Sequence, residues 1–187
     1  KEFILKVLKE ILPASGTVLE VGSGTGQHAV YFAAQLPHLT WQPTELSANF
    51  PSIRAWAREK SLANLCRPLE LDLLAGLKTW PLSVAQAIVC INTVHIVAWR
   101  GVVNLFAGAG RVLSPGGVLY VYGAYRYANR PLEPSNESFD QLLRARDPES
   151  GLRDFEAVNE QAEKNGMTLL CDRPMPGNNR SIAWVKN

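Results

Sequence analysis

Three glycines, Gly22, Gly24 and Gly26, form the part of the sequence best suited to holding a small ligand. They follow a short apolar run at 18–21, which predicts a buried strand, and they precede apolar residues at helical spacing over 29–33. Strand, glycine turn and helix together predict the opening of a βαβ unit. Glycine lets a ligand lie against bare backbone, and the start of the helix offers free N–H groups. A plain turn without a ligand is the alternative.

Two acidic residues follow later strands and are suited to holding a nucleoside. Glu45 stands 19 residues after Gly26, just past a strand predicted at 39–42, where a carboxylate can accept hydrogen bonds from both hydroxyls of a ribose. A helix cap or a surface charge is the alternative for Glu45. Asp72 directly follows a third strand, predicted at 68–71, and forming a turn is its alternative role.

Asn92 and His95 follow an apolar run at 84–91 that predicts the central strand of a sheet. In open parallel sheets, ligands bind beside the carboxyl ends of the strands, where the strand order reverses. We therefore expect both side chains near the reacting group of a ligand. Because an imidazole titrates near neutral pH, His95 suits the role of a general base; a core or capping histidine is the alternative.

The rest of the chain alternates helical and strand patterns, which is typical of an α/β protein. Helices are predicted at 1–12, 51–65, 99–113, 154–165 and after Ser135, and further strands at 118–122, 167–171 and 181–185. Two polar loops, 123–136 and 175–179, are expected above the carboxyl edge of the sheet. The candidate substrate-binding residues in and beside these loops are Tyr122, Tyr125, Asn136, Asn178 and Asn179. Hydrogen bonding within the loops is the alternative for each.

Two glycine-containing motifs resemble those of class I S-adenosylmethionine (SAM) methyltransferases. Residues 20–26 read E-x-G-x-G-x-G, in which the third glycine comes one place earlier than in dinucleotide-binding turns. Residues 113–121, L-S-P-G-G-V-L-Y-V, resemble the LxPGG turn and strand of many members. Further stretches resemble the methyltransferase-like 26 family, long filed as a domain of unknown function: W-Q-P-T-E, S-I-R-A-W, I-N-T-V-H-I, P-S-N-E-S-F-D, L-R-A-R-D-P, G-L-R-D and M-P-G-N-N.

The resemblance implies a Rossmann-like fold with a mostly parallel seven-stranded sheet of order 3-2-1-4-5-7-6, its last strand antiparallel, and helices on both faces. It implies SAM as cofactor and S-adenosylhomocysteine (SAH) as product, with Asp72 beside the adenine amino group. The residues expected to contact SAM are Glu20, Gly22, Ser23, Gly24, Gly26, His28, Glu45, Leu46, Asp72, Leu73 and Asn92. The residues expected at the reaction centre are Asn92, His95 and Tyr125.

The leading hypothesis is therefore SAM-dependent methyl transfer to a small molecule. A non-catalytic SAM- or SAH-binding protein that acts through a protein partner is an alternative, because its cofactor half would look the same. An NAD(P)-dependent reductase is disfavoured by the glycine spacing and because no Tyr is followed four places later by Lys. The N-P-P-Y or D-P-P-Y signature of enzymes that methylate amino groups of nucleic acids is missing after the central strand, so we expect no nucleic-acid substrate.

Composition narrows the class of protein further. A net charge of +2 is too small to indicate a nucleic acid or a membrane surface as partner, and no apolar run is long enough to span a membrane. Three cysteines without a C-x-x-C pair and three scattered histidines indicate free thiols in a reducing compartment and no metal site. We expect one cytoplasmic domain over 1–187, monomeric or homodimeric. Because the chain starts at Lys1, we also expect native residues before it.

Overall fold

The computed structural model describes residues 1–187. It contains a seven-stranded sheet with helices on both faces. The strands of this sheet are β1 (Gly16–Val21), β2 (Leu39–Glu45), β3 (Leu69–Glu70), β4 (Ala85–Ile91), β5 (Leu113–Gly123), β8 (Met167–Met175) and β9 (Asn179–Lys186). Two short strands, β6 (Tyr125–Arg126) and β7 (Arg153–Asp154), form a separate parallel pair. The helices are α1 (Glu2–Ile11), α2 (Gln27–Gln35), α3 (Phe50–Lys60), α4 (Trp99–Val112), α5 (Pro134–Arg146) and α6 (Phe155–Lys164).

The strands of the large sheet lie in the order β3-β2-β1-β4-β5-β9-β8. Strands β1 to β5 run parallel, and β9 is antiparallel to both β5 and β8. The predicted fold class, with its mostly parallel sheet and antiparallel last strand, is confirmed. The order differs from the predicted 3-2-1-4-5-7-6 only because β6 and β7, which the sequence does not predict, precede the last two strands of the sheet along the chain.

The central strand β4 shows why this sheet is apolar on both faces. Ile88 and Cys90 lie in one buried cluster together with Phe106 of α4. Val89, between them in the sequence, lies in a second cluster together with Phe32 of α2. Because successive strand residues point to opposite faces, one strand contributes to both cores. This explains the continuous apolar run of β4, which is typical of parallel strands covered on both sides.

Strand β2 continues beyond its predicted end at Gln42, through Pro43 to Glu45. A proline has no N–H to donate to a neighbouring strand. Pro43 is tolerated within β2 because its backbone groups face the side of β3, and β3 is only two residues long and does not pair with Pro43. On that side the amide of Gln42 donates to the carbonyls of Pro43 and Arg67, at 2.9 and 2.8 Å. The extra length makes Glu45 the last residue of the strand, at the carboxyl edge of the sheet.

Helix α3 ends at Lys60, earlier than predicted, because Ser61 adopts a left-handed backbone with φ 45°. The chain then runs beside β2, where Trp41 N donates to the carbonyl of Asn64 at 2.8 Å and Cys66 N donates to the carbonyl of Trp41 at 2.9 Å. These contacts hold a turn at 63–64 and a single bridge between Trp41 and Leu65 in place of the last helical turn that the pattern favours. The other predicted elements are present with shifted ends.

Two further observations concern the whole chain. None of the six α-helices combines the length and the apolar composition that crossing a bilayer requires. All three cysteines are free thiols, with Cys90 buried and Cys66 and Cys171 partly buried.

Candidate functional site

A cleft of about 600 Å³ lies at the carboxyl ends of β1, β2 and β4, beside the point where the strand order reverses. Nine of the residues predicted to contact a cofactor line it: Gly22, Ser23, Gly24, His28, Glu45, Leu46, Asp72, Leu73 and Asn92. The structure therefore brings together segments that are far apart in the sequence. Their contact with a cofactor stays a prediction.

The first two glycines of the turn have different local reasons to be glycine. Gly22 has φ 72°, and a Cβ on it would lie 2.5 Å from Oγ1 of Thr93. Gly24 has φ 55°, and a Cβ on it would meet nothing within 4 Å. Gly22 thus allows the turn to approach the segment after β4, whereas Gly24 presents uncovered backbone to the cleft.

The carboxylate of Glu45 joins the end of β2 to the glycine turn. Its Oε2 accepts a hydrogen bond from Gly24 N at 2.7 Å, and its Oε1 accepts one from Leu46 N at 2.8 Å. Glu45 does not cap α3, because that helix starts after Asn49 and has no side-chain cap. Each oxygen of a carboxylate can accept a second hydrogen bond, so a backbone-positioned acceptor remains available to a ligand in the cleft.

Asp72 both forms a turn and lines the cleft. Its Oδ1 accepts from Leu74 N at 2.8 Å, which is the turn-forming role proposed as the alternative, and its Oδ2 has no protein partner. Around it lie apolar side chains, of which Leu46 and Leu74 are 47% and 39% exposed. An apolar wall beside one free carboxylate oxygen suits a flat ring that carries an amino group.

His28, in the first turn of α2, contributes no positive charge to the cleft at neutral pH. Burial, aided by the nearby charge of Lys1, lowers the pKa of His28 to about 4. Its ring stacks on that of Phe32, with centroids 5.6 Å apart. The side chain is therefore a neutral, partly apolar surface rather than a cation for a phosphate.

The structure corrects the prediction that Glu20 contacts a cofactor directly. The residue is 2% exposed and lies beneath the glycine turn, outside the cleft. Its Oε2 accepts hydrogen bonds from Ser23 Oγ at 2.9 Å and from Trp41 Nε1 at 3.1 Å. Burial raises the pKa of Glu20 to about 7. Glu20 therefore supports Ser23, which does line the cleft, and does not face a ligand itself.

Gly26 is a second correction, because it lies outside the cleft and against α3. A Cβ on Gly26 would lie 2.8 Å from Cα of Ile53, and its φ of 91° also disfavours a side chain. The third glycine of the motif thus lets α2 and α3 pack closely and makes no wall of the cleft.

A second, smaller depression of about 410 Å³ meets the cleft at Asn92, which lines both. Its walls come from the end of β5, the segment after β4, the start of α5 and the loop between β8 and β9. The residues that line it are Asn92, His95, Ala124, Ser135, Asn136, Phe139, Gly177 and Asn179. Three of the residues predicted for catalysis or substrate binding are thereby brought beside Asn92: His95, Asn136 and Asn179.

His95 is 3% exposed, and its Nδ1 has no hydrogen-bond partner. Burial, with a smaller contribution from the charge of Arg153, lowers the pKa of His95 to about 4. The ring meets that of Phe139 edge to face, with centroids 5.2 Å apart. Its side chain makes no capping hydrogen bond, so His95 is a buried neutral imidazole with one unsatisfied ring nitrogen.

Tyr122 and Tyr125 are corrections, because neither lines the cleft or the depression. Tyr125 is 3% exposed and packs in the cluster of Ile88 and Phe106, where burial raises the pKa of its hydroxyl well above 10. It borders a different cavity of about 230 Å³. The structure therefore separates Tyr125 from Asn92 and His95 and removes it from the candidate reaction centre.

Asn179 bonds within its own loop, where its Nδ2 donates to the carbonyls of Pro176 and Gly177 at 3.1 and 3.3 Å, which is the alternative that the sequence left open. Asn136, in the first turn of α5, and Asn178 instead join α5 to that loop. Asn136 Nδ2 donates to the carbonyl of Asn178 at 3.0 Å, and Asn178 Nδ2 donates to Ser135 Oγ at 2.9 Å. Asn136 and Asn179 also line the depression, whereas Asn178 lines the neighbouring cavity.

Sequence reasoning missed several residues that line the cleft or position the site. In the cleft they are Thr25, Gln27, Asn49, Thr93, Ile96 and Val97. Thr93 and Ile96 flank the predicted Asn92 and His95, so their place after the central strand was a usable signal. Asn49 precedes α3 and carries no such signal.

The turn that carries His95 is held by residues 149–153, which the sequence does not connect with it. Gly151 N donates to the carbonyl of His95 at 2.9 Å, and Ser150 Oγ donates to that of Ile96 at 2.6 Å. Arg153 donates to the carbonyls of Val94 and Val97, at 2.9 and 2.6 Å. The four carbonyls of residues 94–97 are therefore all bonded to this segment. No three His, Cys, Asp or Glu side chains in the chain group closely enough to hold a metal ion.

Comparison with known families gives a match over almost the whole chain. Residues 1–186 match the family described as "Protein of unknown function (DUF938)". The chain belongs to this family. The family description gives this DUF938 protein no activity.

Three solved structures of methyltransferases resemble the DUF938 protein. An O-methyltransferase family protein from Burkholderia thailandensis matches with a TM-score of 0.86 and 16% identity, over 100% of this chain and 56% of that one. CalO1, a methyltransferase in calicheamicin biosynthesis in its SAH-bound form, gives 0.77 and 18%, over 97% and 52%. An O-methyltransferase family 2 protein from Planctomyces limnophilus in complex with apigenin gives 0.79 and 16%, over 100% and 61%.

These comparisons establish the fold of the DUF938 protein. The chain spans little more than half the length of the three proteins that it resembles. At identities of 16% to 18% the likeness shows a shared Rossmann-like methyltransferase fold, and function has to be argued from the site.

Proposed function

We propose that this DUF938 protein binds SAM in the cleft and transfers its methyl group to a small molecule held in the depression. One observation carries the proposal. The hydrogen bond of 2.7 Å from Gly24 N to Glu45 makes the bare backbone of the glycine turn and the carboxylate at the end of β2 parts of one site. The fold shared with methyltransferases supports it. A relationship to the methyltransferase-like 26 family, based on the sequence stretches quoted above, belongs to the same proposal.

The residues of the cleft suit the separate parts of SAM. Glu45 keeps acceptor capacity for ribose hydroxyls, because the protein occupies each of its oxygens only once. The leucines around Asp72 offer an apolar wall for adenine, and its free Oδ2 offers an acceptor for the adenine amino group. The uncovered backbone at Gly24 suits the amino-acid end.

The protein's own contribution to catalysis would be alignment and proton acceptance. Bound SAM supplies a methyl group on a positively charged sulfur, which is already a strong electrophile. Orientation of a nucleophile toward such a group can lower a barrier by roughly 7–11 kcal/mol. His95 is neutral at physiological pH and can accept the proton of the nucleophile at Nδ1. Asn92 borders both chambers and marks where the two ligands meet.

Isothermal titration calorimetry with the Glu45→Ala variant tests the cofactor site. We expect the wild-type protein to bind SAM and SAH, and the variant to bind both about 100-fold more weakly, because hydrogen bonds to a charged group are each worth about 1.5–3 kcal/mol. Glu70→Ala is the matched control, because Glu70 is exposed and pairs with Glu45 in the β2–β3 ladder. Equal affinity in Glu45→Ala and Glu70→Ala would refute the proposal.

Two further measurements separate this proposal from its alternatives. Tight binding of NAD(P) without binding of SAM would indicate a reductase. Binding of SAM without release of SAH over a broad panel of small molecules would indicate a non-catalytic binding protein. We expect SAH to be released with at least one class of acceptor.

A further inference from the structure

We propose that the acceptor is an uncharged molecule that presents a hydroxyl or an amino group to His95 and Asn92, and that Gly123 allows the His95 ring to take the position that this specificity requires. The inference deepens the proposed function and rests on it. It assigns a chemical class to the acceptor, and it gives a role to Gly123, the glycine that ends β5.

The first argument is the convergence of two polar atoms on Gly123. A Cβ at this position would lie 3.1 Å from Nδ1 of His95 and 4.0 Å from Oδ1 of Asn92. The His95 ring therefore packs against the backbone of Gly123, where a side chain would be in tight contact with Nδ1. The backbone of Gly123 is outside the left-handed region, so its conformation does not require glycine. The close approach of the His95 ring is the reason for glycine that the structure shows.

The second argument is the unsatisfied nitrogen of His95. Its Nδ1 is one of four buried side-chain atoms in the chain that have no hydrogen-bond partner. Leaving such a group unpaired costs about 1–3 kcal/mol, which a donor on a ligand would offset. Because the pKa of His95 is lowered to about 4, the ring is neutral at pH 7 and one nitrogen carries a lone pair. With Nε2 protonated, Nδ1 is the acceptor.

The third argument is that neighbouring amides also offer acceptors. Asn136 uses its Nδ2 on the carbonyl of Asn178, at 3.0 Å, and Asn179 uses its Nδ2 on the carbonyl of Pro176, at 3.1 Å. In both side chains Oδ1 has no protein donor, and both residues line the depression. The unpaired atoms of this chamber are thus mostly acceptors, which require a ligand that donates.

The lack of charged side chains in the depression also favours an uncharged acceptor. No Asp, Glu, Lys or Arg lines the depression. A carboxylate or phosphate would lose hydration without gaining a cationic side chain, which is unfavourable. Phe139 adds an apolar ring to the wall, so the body of the acceptor can be apolar. In the transfer step the acceptor oxygen or nitrogen bonds to the methyl carbon, the carbon–sulfur electron pair goes to sulfur, and the acceptor proton goes to His95.

Four small probes with one benzene ring test the inference: phenol, aniline, benzoate and thiophenol. Their binding to SAH-saturated protein can be followed by protein-observed NMR, without turnover. We expect phenol and aniline to bind, with shifts at Asn92 and Gly123, and the other two to bind at least tenfold more weakly. Preference for benzoate or thiophenol, or binding of none of the four, would overturn the inference.

Two variants test the position of the bound group. In Gly123→Ala the methyl group would displace the His95 ring, which lies 3.1 Å from the position of the new Cβ, so phenol affinity should fall at least tenfold while SAH affinity stays within twofold. His95→Phe keeps a ring and removes both nitrogens, with His38→Phe at an exposed site as its control. Unchanged phenol affinity in both Gly123→Ala and His95→Phe contradicts the inference. Failure of the wild-type protein to bind SAH refutes the proposed function instead, so the two failures are distinguishable.

Discussion

The carboxyl group of Glu20 supports the glycine turn from beneath. One of its oxygens accepts from both Ser23 and Trp41, so it connects the turn to the core under β2. Its burial is nearly complete, at 2% exposure, and this keeps the carboxyl protonated to a higher pH than usual. The shape of the turn that lines the cleft therefore depends on a buried group that lies outside the cleft.

We predict that Glu20 makes stability fall as pH rises from about 4.5 to about 7. In that range the folded protein keeps the proton of Glu20, whose pKa is about 7, whereas the unfolded chain releases it near 4.5. The folded state binds more protons, so the free energy of unfolding decreases with pH, by about 3 kcal/mol in total. Below about 4.5 this contribution is fully present.

Urea unfolding of wild type and Glu20→Gln between pH 5 and 8 measures this effect. The stability of the variant relative to wild type should rise by up to about 3 kcal/mol over the range. Glu59→Gln, at an exposed position of α3, should give a difference that does not change with pH. The same flat result for Glu20→Gln would contradict the prediction.

At this scale the sequence located the site but did not orient its side chains. The spacing of the glycines predicted a turn that does line the cleft, because the positive φ angles of Gly22 and Gly24 are what the spacing reflects. Spacing does not say which way Glu20 points, and it points into the core. The prediction for Tyr125 is wrong for the same reason. In an extended segment a shift of one residue turns a side chain from the site into the core, and the sequence does not fix that shift.

Among the structural elements, the segment 149–153 decides the shape of the turn that carries His95. Arg153 donates to two carbonyls of this turn and also to the carbonyl of Glu149, at 2.8 Å. The guanidinium thus bridges the turn and its own segment. Planar donors in fixed directions make such a bridge rigid, which a flexible lysine would not.

We predict that Arg153→Met loosens the turn at 94–97 and lowers stability by about 2–4 kcal/mol, because buried carbonyls lose their donors. Amide exchange of Ile96 and Val97, which donate to the carbonyl of Thr93, should become faster. Arg146→Met, at the exposed end of α5, is the matched control. Equal exchange rates at Ile96 and Val97 in the two variants would show that Arg153 does not hold the turn.

The elements that the sequence did not predict depend on contacts between distant residues. The β6–β7 pair forms because Asp140 accepts from Leu152 N at 2.7 Å and pairs with Arg126 and Arg144. Each of these strands has only two residues and no periodicity of its own, and neither lies in a segment predicted as a strand, as β3 does at 68–71. The longer elements, by contrast, were predictable because each carries an apolar face that the sheet buries.

For the whole molecule, the large sheet separates two apolar clusters that share its strands. One contains Phe106 of α4, the other contains Phe32 of α2, and residues of β4 belong to both. Loss of either cluster would therefore expose one face of the same strands. This geometry favours unfolding as a single unit, which is the behaviour expected of one domain over 1–187.

We predict that Phe32→Ala and Phe106→Ala each lower the free energy of unfolding by about 3–5 kcal/mol, since both side chains are fully buried. Each variant should still show one transition. Coincident thermal curves from circular dichroism and tryptophan fluorescence would establish this. Two separate transitions in either variant would mean that the faces of the sheet unfold independently and that the single-domain prediction is wrong.

Asn92, which has a left-handed backbone with φ 54°, lines both chambers, so a ligand in either chamber would be bounded by the same residue. If a ligand in the cleft changes the affinity of the depression for a second ligand by some factor, the second ligand changes the affinity of the first by the same factor, because linkage is reciprocal. A spent cofactor that stays in place would thus alter how firmly the methylated product is retained. The order in which the methylated product and SAH are released would then affect the turnover rate as much as the methyl-transfer step does.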